Sequence, residues 1–186
     1  MSGEPARRRA TYADLEALPD NIVGEIIDGE LIATPRPALR HSRTMSHLGG
    51  VLGPPFDFGN GGPGGWIILD EPELHLGENV LVPDLAGWRR ERVPELPDAP
   101  AFTVAPDWVC EVLSPSTGAL DRTRKLPIYA REQVKHAWLV DPSLKTLEVY
   151  RLVNNGWLLV TAYEGDRMVR AEPFDAVELD IGLLWK

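Results

Sequence analysis

The most constraining stretch of this chain is Trp108-Val109-Cys110-Glu111-Val112-Leu113, an apolar run with one carboxylate in its middle. A short run of this kind, followed by the turn-forming Ser114-Pro115-Ser116-Thr117, predicts a strand buried on both faces. An ionised carboxylate left there without a partner costs several kcal/mol or more and would take up a proton instead. Glu111 therefore needs a cation, a strong hydrogen-bond donor or an open cleft. On position alone, a salt bridge to an arginine and a functional site are equal readings.

Asp84 presents the same problem in Asn79-Val80-Leu81-Val82-Pro83-Asp84-Leu85. Pro83 cannot donate to a sheet ladder, so this strand is expected to bulge or end there. An acid at a strand end is common, but two acids so placed on separate strands suit an oxygen-rich site. Such a site favours Mg²⁺ or Mn²⁺, which take one or two carboxylates, waters and a substrate phosphate.

Around these strands the pattern predicts a short helix over 11–18, stopped by Pro19, and strands over 22–27 and 30–34. The two-residue Asp28-Gly29 turn between those strands is a hairpin signal. A helix over 39–52 follows, then a Gly- and Pro-rich loop over 54–65 that lacks the Gly-Lys-Ser/Thr ending of a phosphate loop. Two strands, 66–76 and 80–88, are expected around Gly77-Glu78-Asn79. A helix from 117 toward Val134 should kink or restart at Pro127. Strands at 136–140, 146–152 and 157–163 close the reading, with turns at Asp141-Pro142 and Asn155-Gly156. The sum is an α/β (α+β) domain over 11–186, preceded by a flexible tail over 1–10.

Composition narrows the function. The charge of −9 argues against a broad nucleic-acid-coating surface, while leaving room for local basic clusters at Arg36, Arg40, His41 and Arg43 and at Arg122, Arg124 and Lys125. From charge alone both clusters read as solvated surface. No window approaches the about 18 consecutive apolar residues of a membrane helix, and Arg7, Arg8 and Arg9 have no apolar stretch behind them to make a secretory signal. Cys110 is the only cysteine, which excludes an internal disulfide and points to a reducing cytoplasm. His47, His75 and His136 show no zinc spacing. Cys110 is expected in the core, as are Trp108, Trp138 and Trp157.

Lys125 could serve phosphodiester hydrolysis by orienting the attacking water or pairing with the phosphate. It also lies four residues after Asp121, the spacing of an ordinary surface ion pair, which is the simpler reading of the residues themselves.

The succession Glu25-to-Leu31 (EIIDGEL), Val82-to-Leu85 (VPDL), Trp108-to-Thr117 (WVCEVLSPST), Asp121, Lys125, Tyr129 and Ala137-to-Pro142 (AWLVDP) resembles the Uma family of endonucleases. That family falls within the PD-(D/E)xK restriction-endonuclease-like superfamily. The resemblance implies a central mixed β-sheet flanked by helices, with an N-terminal hairpin and a C-terminal β-meander. It implies that Asp84 and Glu111 are the metal-binding acids, that Glu25 is an additional acid near the metal, and that the lysine has moved from the position of Leu113 to Lys125. It attaches no role to Tyr129. His41 matches a histidine that recurs in similar sequences, although a capped surface histidine is the simpler reading. Gly24 stands where an aromatic residue is usual.

The expectation is thus a Mg²⁺- or Mn²⁺-dependent endonuclease acting on nucleic acid, most simply DNA. Asp84, Glu111, Glu25 and Lys125 would form the site, Arg40, His41, Arg43, Arg122 and Arg124 would touch the substrate, and a homodimer would cut both strands. The alternatives are a nuclease fold kept as a binding module and a phosphohydrolase of small substrates.

Overall fold

The computed structural model describes residues 8–186. Of the expected tail, residues 1–7, Arg7 included, lie outside the described residues. Arg8 and Arg9 form ion pairs with Asp14 and Glu78, and Ala10 N–H bonds the Gly29 carbonyl.

Helix α1 (Tyr12–Glu16) is shorter than expected, and the Asp14 carboxylate accepts the Thr11 N–H at its start. Strands β1 (Ile22–Ile27) and β2 (Glu30–Pro35) form the expected hairpin, with Asp28 and Gly29 at φ 52° and 83°. Gly24 in β1 has a steric reason: a Cβ there would stand 2.5 Å from Leu18 Cδ1 and 2.6 Å from Leu15 Cδ2. The two leucines of the α1 segment fill the space that an aromatic residue at 24 would need.

Helix α2 (Leu39–Leu52) has the predicted bounds and buries His41, Thr44, Leu48 and Leu52. It runs into a wide turn, Gly53–Asp57, closed by Phe58 N–H to the Gly53 carbonyl at 3.0 Å. Pro54 and Pro55 supply no N–H for tighter bonds, so the helix widens there, and it takes in the start of the expected loop.

The two long strands expected over 66–88 are instead four: β3 (Trp66–Asp70), β4 (Leu74–Leu76), β5 (Asn79–Leu81) and β6 (Leu85–Arg89). The break after β3 comes at Glu71, held at φ 44°, and the break before β6 at Pro83. As a result β4 and β5 join the hairpin in a four-stranded sheet of order β2-β1-β5-β4, while β3 and β6 join the main sheet. The first break is marked in the sequence by Asp70-Glu71-Pro72-Glu73, whereas the apolar Val80-Leu81-Val82 running up to Pro83 masks the second.

The main sheet has order β10-β9-β8-β7-β6-β3, with β7 (Trp108–Val112), β8 (His136–Asp141), β9 (Thr146–Val153) and β10 (Gly156–Glu164). Only the β7–β8 pairing is parallel, so the sheet is mixed, and β8, β9 and β10 form the expected meander. The turn into β10 uses Asn154 and Asn155 at φ 49° and 63°, one residue earlier than expected. Gly156 is already paired with Val153.

Strand β7 is central and covered on both sides. Trp108, Cys110 and Val112 face a core with α2 and the C-terminal segment, where Trp66, Trp108 and Trp138 meet Phe174 at ring separations of 4.8, 4.9 and 5.5 Å. Val109 and Leu113 face a second core with α4 (Leu126–Arg131). Cys110, Trp108 and Trp138 are core residues, as expected; Trp157 is only partly buried, and its indole N–H bonds the Leu126 carbonyl. Strands β11 (Met168–Val169) and β12 (Leu179–Asp180) form a separate ribbon, and the following 3₁₀ turn Ile181–Trp185 is fastened to α2 by Thr44 and His47.

Helix α3 (Gly118–Leu120) and α4 are separated by a second wide turn, Asp121–Lys125, in which Leu126 N–H bonds the Asp121 carbonyl. Pro127 becomes the second residue of the restarted helix, a position at which proline is tolerated. The expected kink is therefore a widened turn, and Lys125 is its last residue.

Candidate active site

The β6–β7 ladder runs Gly87–Trp108, Ala86–Val109, Leu85–Cys110 and then stops. Asp84 and Glu111 are the next residues on the two strands, which makes them neighbours. With Pro83 unable to continue the ladder, the Asp84 Oδ2 accepts the Val112 N–H at 2.6 Å. Asp84 Oδ1 lies 3.2 Å from His41 Nε2. His41 is thus buried against the acid rather than a surface histidine, and its Nδ1 has no partner among the described residues.

Glu111 is 3 % exposed, on the face of β7 toward α4. Its Oε1 accepts from the Tyr129 hydroxyl at 2.7 Å and from Lys125 Nζ at 2.9 Å. Lys125, also 3 % exposed, reaches Glu25 Oε1 at 3.0 Å and the Val82 carbonyl at 3.3 Å, with Asp121 Oδ1 at 3.9 Å. Three close acceptors match the three hydrogens of an ammonium. The surface-pair reading of Asp121 and Lys125 is thereby overturned: both are buried, and the closest partners of the lysine lie on other elements. Glu25 comes from β1, where its Oε1 also takes the Val82 N–H at 2.8 Å.

Three carboxylates, Glu25, Glu111 and Asp121, therefore surround one buried ammonium, and Asp84 lines the same cleft. Burial pushes the Glu111 carboxyl well above its ordinary range; Lys125 draws it down, while Asp121, Asp84 and Glu25 press it up. Burial alone would lower the Lys125 ammonium, but Glu111 and Glu25 outweigh it and hold it well above 10.5. Burial likewise raises Asp121 to about 6. The Cys110 thiol is raised by its complete burial and then by Asp84 and Glu111, so it is no nucleophile.

All of Glu25, Asp84, Glu111, Asp121, Lys125 and His41 line one cleft of about 370 Å³. Ser114, Ser116 and Thr117 form part of its wall, as does Arg36, which also donates to the Asp20 carbonyl. Arg40, Arg43, Arg122 and Arg124 do not line it. Arg122 pairs with Glu148, Arg124 with Glu30 and the Ile27 carbonyl, and Arg43 with the Lys186 carbonyl at the C-terminus. Asp121 and Tyr129 are site members that residue-by-residue reading assigned no function. Their signal was spacing, since they flank Lys125 by four residues on either side, one helical face.

Among the described residues, no group of three or more His, Cys, Asp or Glu is gathered as a preformed metal cage, because Lys125 stands between Glu25 and Glu111. The donor chemistry nevertheless fits a hard divalent cation: the carboxylates of Glu25, Asp84, Glu111 and Asp121 share one cleft with a single buried ammonium. No helix among the described residues is long and apolar enough to cross a membrane.

The sequence pattern of the Uma2 family, described as "Putative restriction endonuclease", matches residues 10–182. A crystal structure of a "putative nuclease belonging to DUF820" from Anabaena variabilis is similar at 25 % identity and a TM-score of 0.71, covering 95 % of this chain and 97 % of that one. No curated protein sequence matches the chain. With the nuclease-like fold, the two strand-end acids and nearly the whole length matched, this chain belongs to the Uma2 family.

Proposed function

We propose that the chain is a divalent-metal-dependent endonuclease that hydrolyses phosphodiester bonds of nucleic acid, DNA in the first instance. The observation that carries the reading is the buried Lys125 ammonium held within 3.0 Å of Glu25 and Glu111 in a cleft that Asp84 also lines. A merely structural ion pair needs one acid. Three acids at one ammonium, with Asp84 in the same cleft, leave charge that a cation would neutralise, and the Uma2 family and the nuclease of similar fold favour the same chemistry.

Asp84 and Glu111 would hold Mg²⁺ or Mn²⁺, with Glu25 nearby. Such an ion supplies charge neutralisation at the phosphate and a water more acidic than bulk. The rest is the work of the side chains. Lys125 orients the attacking water or pairs with a phosphate oxygen, and its three tethers keep it from swinging to solvent. Glu25 fixes that ammonium through Oε1. Val112 N–H and His41 fix Asp84 in one orientation. Arg36, which lines the cleft, would meet a flanking phosphate. Cutting both strands of a duplex calls for two such sites, hence a twofold dimer, and the lone Cys110 suits a reducing cytoplasm.

The test is to incubate purified protein with Mg²⁺ or Mn²⁺ and labelled duplex DNA, single-stranded DNA and RNA, and to titrate the ions by calorimetry. Internal cleavage of DNA that stops with chelator and with Asp84→Asn is expected. Divalent binding without cleavage of any of the three would reject the nuclease, and no binding at neutral pH would reject the metal site.

A further inference from the structure

Tyr129 is the member of the buried cluster whose polar chemistry the proposed reaction leaves unused. It is fully buried, one helical turn after Lys125, and its hydroxyl donates to Glu111 Oε1 at 2.7 Å. Lys125 Nζ stands 2.9 Å from the same oxygen as its ion-pair partner. The hydroxyl and the ammonium thus both engage Oε1. No hydrogen bond to Oε2 is formed by the described residues, while Glu111 lines the cleft. The two oxygens of one carboxylate are therefore distinguished, one tied to the helix and one left for a ligand.

We infer that Tyr129 is a positioning residue: with Lys125 it holds Glu111 by Oε1, so that Oε2 is the oxygen presented to a divalent cation in the cleft. The inference rests on the metal-site reading above. The geometry is that of an outer partner orienting a metal-binding carboxylate, and losing such a partner weakens metal affinity or activity by about 10- to 100-fold. A tyrosine present only for packing would be replaced by phenylalanine without such an effect, since the ring fills the same space and Glu111 keeps Lys125.

The experiment compares wild type with Tyr129→Phe by Mn²⁺ calorimetry, thermal unfolding with and without Mn²⁺, and steady-state cleavage. The expected result is a Mn²⁺ dissociation constant raised about tenfold and kcat lowered about tenfold or more, with KM within about twofold. On a Glu111→Gln background the same substitution should produce no further loss of Mn²⁺ affinity. A Tyr129→Phe protein that binds Mn²⁺ as tightly as wild type overturns the inference and leaves the metal site standing, whatever its Tm. A wild type that binds no divalent cation overturns both. Should Tyr129→Phe fail to fold, 3-fluorotyrosine in the otherwise wild-type chain gives the answer. The fluorine signal of fully buried Tyr129, recognised by its insensitivity to H₂O/D₂O exchange, should move on adding diamagnetic Mg²⁺. A signal that stays fixed through Mg²⁺ saturation overturns the inference.

Discussion

Lys125 Nζ stands 2.9 Å from Glu111 Oε1, although the two residues lie on different elements and fourteen positions apart. Both are 3 % exposed, so neither charge is satisfied by water. Removing the ammonium leaves buried carboxylates uncompensated, a change that destabilises by about 3–5 kcal/mol. Lys125→Met should lose that much in urea unfolding without divalent ions. A loss of about 0.5 kcal/mol or less would be the signature of an exposed i, i+4 pair.

Stability without metal should also fall as the pH rises. Burial lifts the Asp121 carboxyl from 3.8 to about 6, so the folded chain binds the proton more tightly than the unfolded chain does. Its contribution is complete below about pH 4 and is lost as the pH rises through about 6. For His41, burial acts downward but the hydrogen bond and charge of Asp84 outweigh it, leaving it above 6.5. Its contribution has the same sign and is lost at somewhat higher pH. Burial raises Glu111 well above its ordinary range and adds a fall of the same sign, so Asp121→Asn should remove only the share due to Asp121, a gain of up to about 3 kcal/mol at neutral pH relative to wild type. Chevron or urea titrations of both proteins between pH 4 and pH 8 in chelator would show parallel curves if Asp121 were not strained by its burial.

How much of this was legible in the sequence depends on the residue. Glu111 was, because a carboxylate in a doubly buried strand has few physical alternatives. The hairpin was as well, because Asp28-Gly29 must adopt positive φ. Lys125 was not, except through family resemblance: in Asp121-Arg122-Thr123-Arg124-Lys125 every side chain is polar, which reads as solvated helix surface. Whether that lysine turns inward depends on the wide turn before Pro127, which adds a residue to the helical turn and rotates the helix after it. The sheet change at Pro83 was hidden for a related reason, since the apolar Val80-Leu81-Val82 runs straight up to it, whereas the change at Glu71 is legible in Asp70-Glu71-Pro72-Glu73 as a strand break.

Nucleic-acid binding should depend on salt only modestly. Arg122 and Arg124 are already matched to Glu148 and Glu30, which leaves Arg36 as the arginine lining the cleft. Binding of labelled DNA by uncleaving Glu111→Gln, followed across salt concentration, should give a shallow log–log slope. Arg36→Ala should reduce that slope by about 1, and Arg122→Ala should leave it unchanged. A steep slope lowered by Arg122→Ala would mean that the second basic cluster meets the phosphates after all.

Glu25 and Asp84 should separate in their effects. Glu25 Oε1 is occupied by Lys125 and the Val82 N–H, whereas Asp84 has no lysine contact. Glu25→Gln is expected to slow cleavage about tenfold or more through the lysine while changing the metal dissociation constant little; Asp84→Asn is expected to weaken metal binding itself. Equal losses of metal affinity in both variants would make Glu25 a direct ligand.

The role of the buried lysine is decided by the single-turnover cleavage rate of Lys125→Ala against wild type under saturating Mg²⁺ or Mn²⁺, on whichever nucleic acid the wild type cuts. Lys135→Ala, an exposed lysine past the end of α4, serves as the control. Lys125→Ala, still folded and still binding metal, is expected to cut at least about a hundredfold more slowly. Lys125→Arg should restore only part of the rate, and Lys135→Ala should cut normally. A folded Lys125→Ala protein that cuts as fast as wild type would contradict a place for this lysine at the reacting phosphate.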